Sequence, residues 1–299
     1  VLILPKIGQD LGMAGSSFVY PPPTDGKPFR LMMGLRTMPT EQWIETGDDL
    51  FAQLPQRTEL IDKNRDIVFA QLPGFGNEVE QFARLIISNL KSHHQDFYQV
   101  VGDSKVIVKS TGFEVDVFAD HPFIQLCKVI GEDLCLISKV ADQWLLTSAV
   151  VVYPSRWRLQ EKIGKNLDQI HQPVPGYETA LQPAMSLTFD KLTSDRQVWR
   201  LNWALHSEPD LYQPTAIHLS QNPENYWWRT ERQTLTKLAG TEHVLFTIRN
   251  RVEQLSQIHL NPIHALAFAD TLKSMTPETV AYKGLTSDHQ AIVDYLSGR

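Results

Sequence analysis

Apolar residues recur at helical spacing through the first hundred positions and at strand spacing through much of the chain after residue 130. Over 41–68 the pattern predicts amphipathic helix with a break near Pro55. Over 78–90 it predicts another, with Val79, Phe82, Leu85 and Ile86 on one face. Residues 1–27 carry Pro5, Pro21, Pro22, Pro23 and Gly26, which predict an extended lead-in.

The pattern changes near residue 133. Segments 133–139 and 143–154 are apolar and β-branched with a short polar turn between them, a hairpin of buried strands. Next, Leu159, Ile163, Leu167, Ile170 and His171 share one helical face until Pro173 and Pro175 stop the helix. A second helix is predicted over 178–192. Three strands follow, over 198–206, 225–238 and 243–252. In the first, Trp199, Leu201, Trp203 and Leu205 face one way, and Arg200, Asn202 and Ala204 the other. Asn261-Pro262 opens a C-terminal helix, and the tail over 281–296 holds one more. The order predicts an α+β fold: a PAS-like five-stranded antiparallel sheet with helices on one face, extended by N- and C-terminal helical segments. Neither an internal repeat nor a low-complexity tract is present. One domain over 1–299, with the PAS-like core at about 130–255, is the simpler reading.

Composition narrows the function classes. The chain has 299 residues, 42% apolar and 21% charged, which is ordinary globular composition at a length that folds without staples. The formal net charge is −6, with Lys and Arg scattered. That argues against nucleic acid and against an anionic membrane surface. Cys127 and Cys135 are too few for a disulfide framework or a four-thiolate metal site, and read as small buried hydrophobes in a reducing compartment. The longest apolar stretch, 144–153, is far short of the ~20 residues that span a bilayer. The opening VLILP lacks the basic flank of a signal peptide, so a cytoplasmic protein is expected.

The usual hydrolase, P-loop and zinc-helix motifs are missing, and LPGFGNE (72–78) reads as a loop. Among ten histidines, His93 and His94 read as solvated, His121 as a loop residue, and His259 and His264 as wrongly spaced for one helix face. His171 differs: it ends an apolar-faced helix just before a proline stop, so its imidazole points toward the core. Both an iron-holding nitrogen and a hydrogen-bonded core or capping histidine satisfy that placement. Arg229, Glu231 and Arg232, with Arg200 and Asn202 on the preceding strand, either line a pocket for a polar ligand or form cross-strand ion pairs. Trp199, Trp203, Trp227 and Trp228 read as core or as walls around a flat macrocycle.

PSRWRLQEKIGKNLDQIHQPVPGY (154–177), the R-x-N-W at 200–203, and RTERQTLTKL followed by VLFTIRNRV resemble segments of the haem-dependent oxidative N-demethylase α subunits. GLRTM (34–38), EQWIE (41–45) and MTPETVAYKGL (275–285) resemble the same family. The resemblance runs from about Phe29 to nearly the end. It implies a PAS-like core that binds haem b through a histidine. The implied activity is oxidative demethylation of a secondary amine, dimethylamine, with oxygen activated at the haem. Electrons would come from NADPH through partner reductase subunits carrying flavin and an iron–sulfur centre. His171 matches the family's helix histidine before P-V-P and is the expected iron ligand. Lys162, Arg158, Arg232 and Trp203 are the further candidate haem contacts. Glu231, Arg229 and Asn202 are the candidate catalytic, amine-binding groups. A PAS-like haem gas sensor or haem-binding module is the other function compatible with this reading.

Overall fold

The computed structural model describes residues 18–23, 25–216 and 219–299. The first elements are β1 (Arg36–Met38), α1 (Asp48–Lys63), α2 (Arg65–Val68), β2 (Phe69–Gln71) and α3 (Gly76–His93). Helix α1 runs unbroken through Pro55, against expectation. Proline removes one backbone hydrogen bond, but Leu50, Leu54, Arg57 and Ile61 bury a single face across it. That packing outweighs the local loss. On α3 the buried stripe is Val79, Phe82, Ala83, Ile86, Ile87 and Leu90, whereas Leu85 is exposed.

Three short strands follow in a stretch with no expected element: β3 (Tyr98–Val101), β4 (Lys105–Val108) and β5 (Glu114–Asp116). They form their own antiparallel sheet. Strands of three or four residues hold too few alternations to be legible. Helix α4 (Pro122–Cys127) leads into the main strands β6 (Glu132–Val140) and β7 (Gln143–Val150). The connection onward carries α5 (Leu167–His171), α6 (Tyr177–Ala180) and α7 (Gln182–Lys191). Strands β8 (Gln197–His206), β9 (Trp227–Lys237) and β10 (His243–Gln254) complete the sheet, and α8 (Pro262–Lys273), α9 (Pro277–Tyr282) and α10 (His289–Leu296) end the chain.

The main sheet is antiparallel and seven-stranded, in the order β1-β8-β9-β10-β6-β7-β2. The five expected strands are contiguous within it. Strands β1 and β2 add an edge on each side, which corrects the five-stranded expectation. The single helix expected before Pro173 is also corrected. A 3-10 turn (Leu159–Glu161) is followed by Gly164 in the left-handed region at φ 76°, and α5 starts afresh. Asn166 caps it, accepting from Gln169 N at 2.9 Å while Gln169 Oε1 accepts from Asn166 N at 3.1 Å.

Helices cover both faces of the sheet rather than one. On the α5 face, Ile137, Ala149, Leu235 and Val244 pack against Leu167, Leu181, Met185 and Phe189. On the opposite face, Leu134, Leu136 and Leu245 pack against Leu54, Phe82 and Phe123. Farther along that face, Leu205 and Trp228 meet Phe268, Leu272 and Ile292. Burying each Leu, Ile, Val, Met or Phe side chain among these contributes ~1.5–3 kcal/mol. Cys127 and Cys135 are buried and unbridged. No helix among the described residues is long and apolar enough to cross a membrane.

A charged group ties the N-terminal segment to the opposite face. Glu45 accepts from the Arg251 guanidinium and the Tyr20 hydroxyl, and Arg232 Nε lies 3.4 Å from its Oε1. Burial alone would raise its pKa. Arg251, then Arg232 and Tyr20, outweigh burial and hold the carboxyl at about 2. A depressed carboxyl stabilises the fold above its unfolded pKa, and that contribution is lost as pH falls toward the folded value. Glu45→Gln is therefore expected to cost about 3 kcal/mol at neutral pH. The gap from wild type should close as pH falls from 4.5 to about 2. Urea midpoints across that window measure it, and a constant gap would refute the assignment.

Candidate functional site

His171 closes the five-residue helix α5. Its Nδ1 lies 2.7 Å from Leu167 O. A carbonyl only accepts, so Nδ1 carries the proton and Nε2 keeps a free lone pair. The ring stacks on Tyr177 with centroids 5.4 Å apart and planes 15° apart. The Tyr177 hydroxyl in turn donates to Asp168 Oδ1 at 2.5 Å. Burial lowers the His171 pKa, and the nearby Arg200 and Lys162 cations lower it further, against the Leu167 hydrogen bond. The imidazole is thus neutral, oriented and available through Nε2.

Strand pairing sets what shares this face. It carries Val198, Arg200, Asn202, Ala204 and His206 of β8, opposite Leu235, Gln233, Glu231, Arg229 and Trp227 of β9. Phe246, Ile248 and Asn250 of β10 continue it. Strands β9 and β10 have neighbours on both sides, yet Glu231, Gln233 and Phe246 are only half-buried. The middle of this face is incompletely covered, and Arg200 on it lies within electrostatic reach of His171. Leu31, Met33, Leu35, Ile163, Ile170 and Val174, themselves partly buried, pack against the apolar cluster of this face that holds Leu235 and Val244.

The floor is polar in its centre. Asn202 Nδ2 donates to Glu231 Oε2 at 3.1 Å, and Gln233 Nε2 donates to the same oxygen at 2.9 Å. The Arg200 side chain has no hydrogen bond or ion pair among the described residues, and its Nε is buried without a partner. Burial lowers the Arg200 pKa, and Glu231 opposes the shift. Lys283, just past α9, donates to Trp203 O at 2.8 Å, with Nζ 4.2 Å from the Trp203 ring centroid. Burial brings its pKa to about 8, helped by Arg156 and Arg200 and opposed by Glu231. Arg156, at φ 64°, donates to Leu205 O at 3.0 Å and Lys283 O at 2.5 Å, covering the free edge of β8.

The structure brings some predicted residues together and separates others. Glu231 and Asn202 meet on the floor. Lys162 lies beside His171, its Nζ donating to Ile170 O at 2.8 Å. Arg229 shares the face but is 1% exposed, and its guanidinium is taken up by Leu211 O, Tyr153 O and Asn250 Oδ1, each at 2.8 Å. It braces the sheet and is not available to a ligand. Arg232 points to the opposite face, bonded to Trp43 O at 3.2 Å and paired with Glu45. Trp203 also lies on that face, against Trp228 at 5.1 Å and Phe268 at 5.4 Å. Strand alternation sends neighbours to opposite sides, so Arg232 cannot join Glu231, nor Trp203 join Asn202. Arg158 is exposed, and among the described residues no contact joins it to His171. His94, expected in solvent, is 7% exposed. Gln233 was missed, although it stands two residues from Glu231 on one strand. Lys283 and Arg156 were missed because nothing local marks their approach to β8.

These residues suit a haem. The iron needs one neutral nitrogen whose other ring nitrogen is held, and His171 offers it. The macrocycle needs apolar walls, which Val198, Phe246 and Ile170 provide. Its anionic edge needs cations, and Lys162 and Arg200 stand nearby. Among the described residues no group of three or more His, Cys, Asp and Glu side chains could hold a metal ion. A family model described as haem-dependent oxidative N-demethylase, alpha subunit-like, matches residues 34–293. That span includes His171, every floor residue and Lys283, and the chain belongs to this family.

Proposed function

We propose that this chain is the haem-bearing component of an oxidative N-demethylase, with His171 Nε2 as the protein ligand of haem b. The observation that carries the reading is a neutral, carbonyl-fixed imidazole within electrostatic reach of a half-covered sheet face that presents a carboxylate and an unpartnered arginine. The substrate is a small secondary amine, dimethylamine being the simplest.

Bound haem would supply the reduction and cleavage of dioxygen. The net change is a hydroxylation of the N-methyl carbon. One oxygen atom goes to that carbon and the other leaves as water, with two electrons and two protons consumed. The carbinolamine then breaks its C–N bond to give the shortened amine and formaldehyde. The protein's own groups place the substrate. Glu231 accepts hydrogen bonds from the ammonium, and Asn202 and Gln233 fix its Oε2 so that Oε1 faces the ligand. Phe246 and Val198 keep water from the reacting end. The description of the family as alpha subunit-like supports electron delivery by separate subunits. A reductase carrying flavin and an iron–sulfur centre, fed by NADPH, fits that need.

The test is haem-loaded protein supplied with oxygen, a flavin-based reductant and a panel of secondary amines. One formaldehyde per amine consumed is expected. A Soret band with no formaldehyde from any amine would overturn the enzyme reading and leave a haem-binding module or gas sensor.

A further inference from the structure

Residues 30–36 alternate in burial as a strand does, yet most of them pair with nothing. Arg30, Met32, Gly34 and Arg36 are exposed, while Leu31, Met33 and Leu35 are half-buried. Strand β1 joins β8 only through Arg36↔Trp199, Thr37↔Val198 and Met38↔Gln197. Continued in that register, Gly34, Met32 and Arg30 would stand opposite Leu201, Trp203 and Leu205. The pairing stops instead, and residues 30–35 make no hydrogen bond or ion pair among the described residues. Gly34 lies in the left-handed region at φ 60°, which turns the chain off the sheet edge. Side chains take the edge of β8 that is left: Lys283 donates to Trp203 O and Arg156 to Leu205 O.

Both ends of the segment are tied down. Phe29 N donates to Ser274 Oγ at 2.7 Å, and Thr271 Oγ1 donates to Lys27 O at 3.2 Å. The Phe29 ring meets Trp203 edge-on with centroids 6.1 Å apart. At the other end stands the β1 ladder. Between these anchors only apolar contact holds the chain. Leu31, Met33 and Leu35 pack on the cluster that also takes in Ile170 and Val174, which flank His171, and Val198 and Phe246 of the sheet. A stretch whose peptide groups bond to water rather than to protein opens at far less than the global unfolding free energy.

We propose that residues 30–35 form a movable strap at the edge of the His171 face, which lifts to admit a flat macrocycle and then retains it through Leu31, Met33 and Leu35. This rests on the reading of that face as a haem site, and it names the gate. The unpaired backbone supplies the freedom to move, and the two anchors confine the movement to these six residues.

Stopped-flow uptake, and loss to excess apomyoglobin, test this with haemin and with metal-free protoporphyrin IX as probes. The porphyrin carries no iron, so its binding does not need the His171 ligand. Leu31→Ser, Met33→Ser and Leu35→Ser together are expected to speed both uptake and loss of either probe by roughly tenfold or more. Loss of a static wall contact would speed loss alone. Met33→Ser by itself should move both rates less, in the same direction, and Met33→Leu should leave them as in wild type. Trypsin cleavage after the exposed Arg30 needs the strap to lift, so either bound probe should slow it roughly tenfold or more. Equal cleavage with and without probe would overturn the proposal, as would uptake by the serine variants at the wild-type rate. Porphyrin bound and gated, with the haemin Soret band left at its free position, would count against the iron ligand alone. A protein that binds neither probe would overturn the gate together with the haem reading.

Discussion

Replacing His171 with alanine is expected to remove the Soret band from protein expressed with haem. The loss in haem affinity should exceed about 100-fold, because the outer hydrogen-bond partners of such a histidine alone are worth ~10–100-fold. The fold should survive. His171 is half-buried at the end of a five-residue helix, and among the described residues its side chain hydrogen-bonds only Leu167 O. Unfolding free energy should therefore change by no more than about 1 kcal/mol. The informative control is His206→Ala. His206 is 1% exposed, and its Nδ1 meets Gln213 Oε1 at 2.6 Å, which leaves Nε2 buried without a partner. Its donor chemistry matches that of His171. Its setting does not: burial, with Arg229, Arg156 and Lys283 adding to it, holds the imidazole at about 2. The Soret band should persist in that variant. A band that survived His171→Ala and vanished in His206→Ala would move the ligand from α5 to the end of β8.

Asp133→Ala should be the most destabilising of the substitutions considered. Asp133 and Arg57 form an ion pair at 3.0 Å with both side chains fully buried. The carboxylate also accepts from Val152 N at 3.0 Å and Tyr153 N at 3.1 Å. Arg57 donates to Cys127 O at 3.1 Å and Glu132 O at 2.8 Å. The pair thus joins α1, the end of α4, β6 and the exit of β7. Removing one partner of such a pair costs ~3–5 kcal/mol, and each buried amide left unsatisfied adds ~1–3 kcal/mol. Typical domains hold only about 5–15 kcal/mol in total, so the variant should approach the limit of folding. Urea unfolding followed by tryptophan fluorescence measures the loss. The double substitution Arg57→Met with Asp133→Leu should recover most of it, because no unpaired charge then remains inside. A double variant as unstable as the single one would show that the two amides, not the charge, set the cost.

Much of the framework was legible from short-range pattern. The five central strands stand where alternation put them, whereas Gly164 and the Asn166–Gln169 box interrupt the single helix that apolar spacing predicted before Pro173. The same alternation already separates Arg232 from Glu231 and Trp203 from Asn202. Grouping them by adjacency along the chain produced candidates that the sheet places on opposite faces. Edge strands β1 and β2 and the small β3–β5 sheet escaped because three or four residues carry too little periodicity.

The sequence by itself determined the strand-rich core, the proline-stopped helix that ends in His171 and the family to which the chain belongs. These depend on local spacing and on motifs, which do not require knowing what packs where. Only the tertiary structure decided that Arg229 braces the sheet, that Lys283 and Arg156 cover the edge of β8, and that Arg200 stands without a partner beside Glu231. Whether a charged side chain is paired or free depends on groups brought in from 18 to 127 positions away, and no local pattern encodes that meeting.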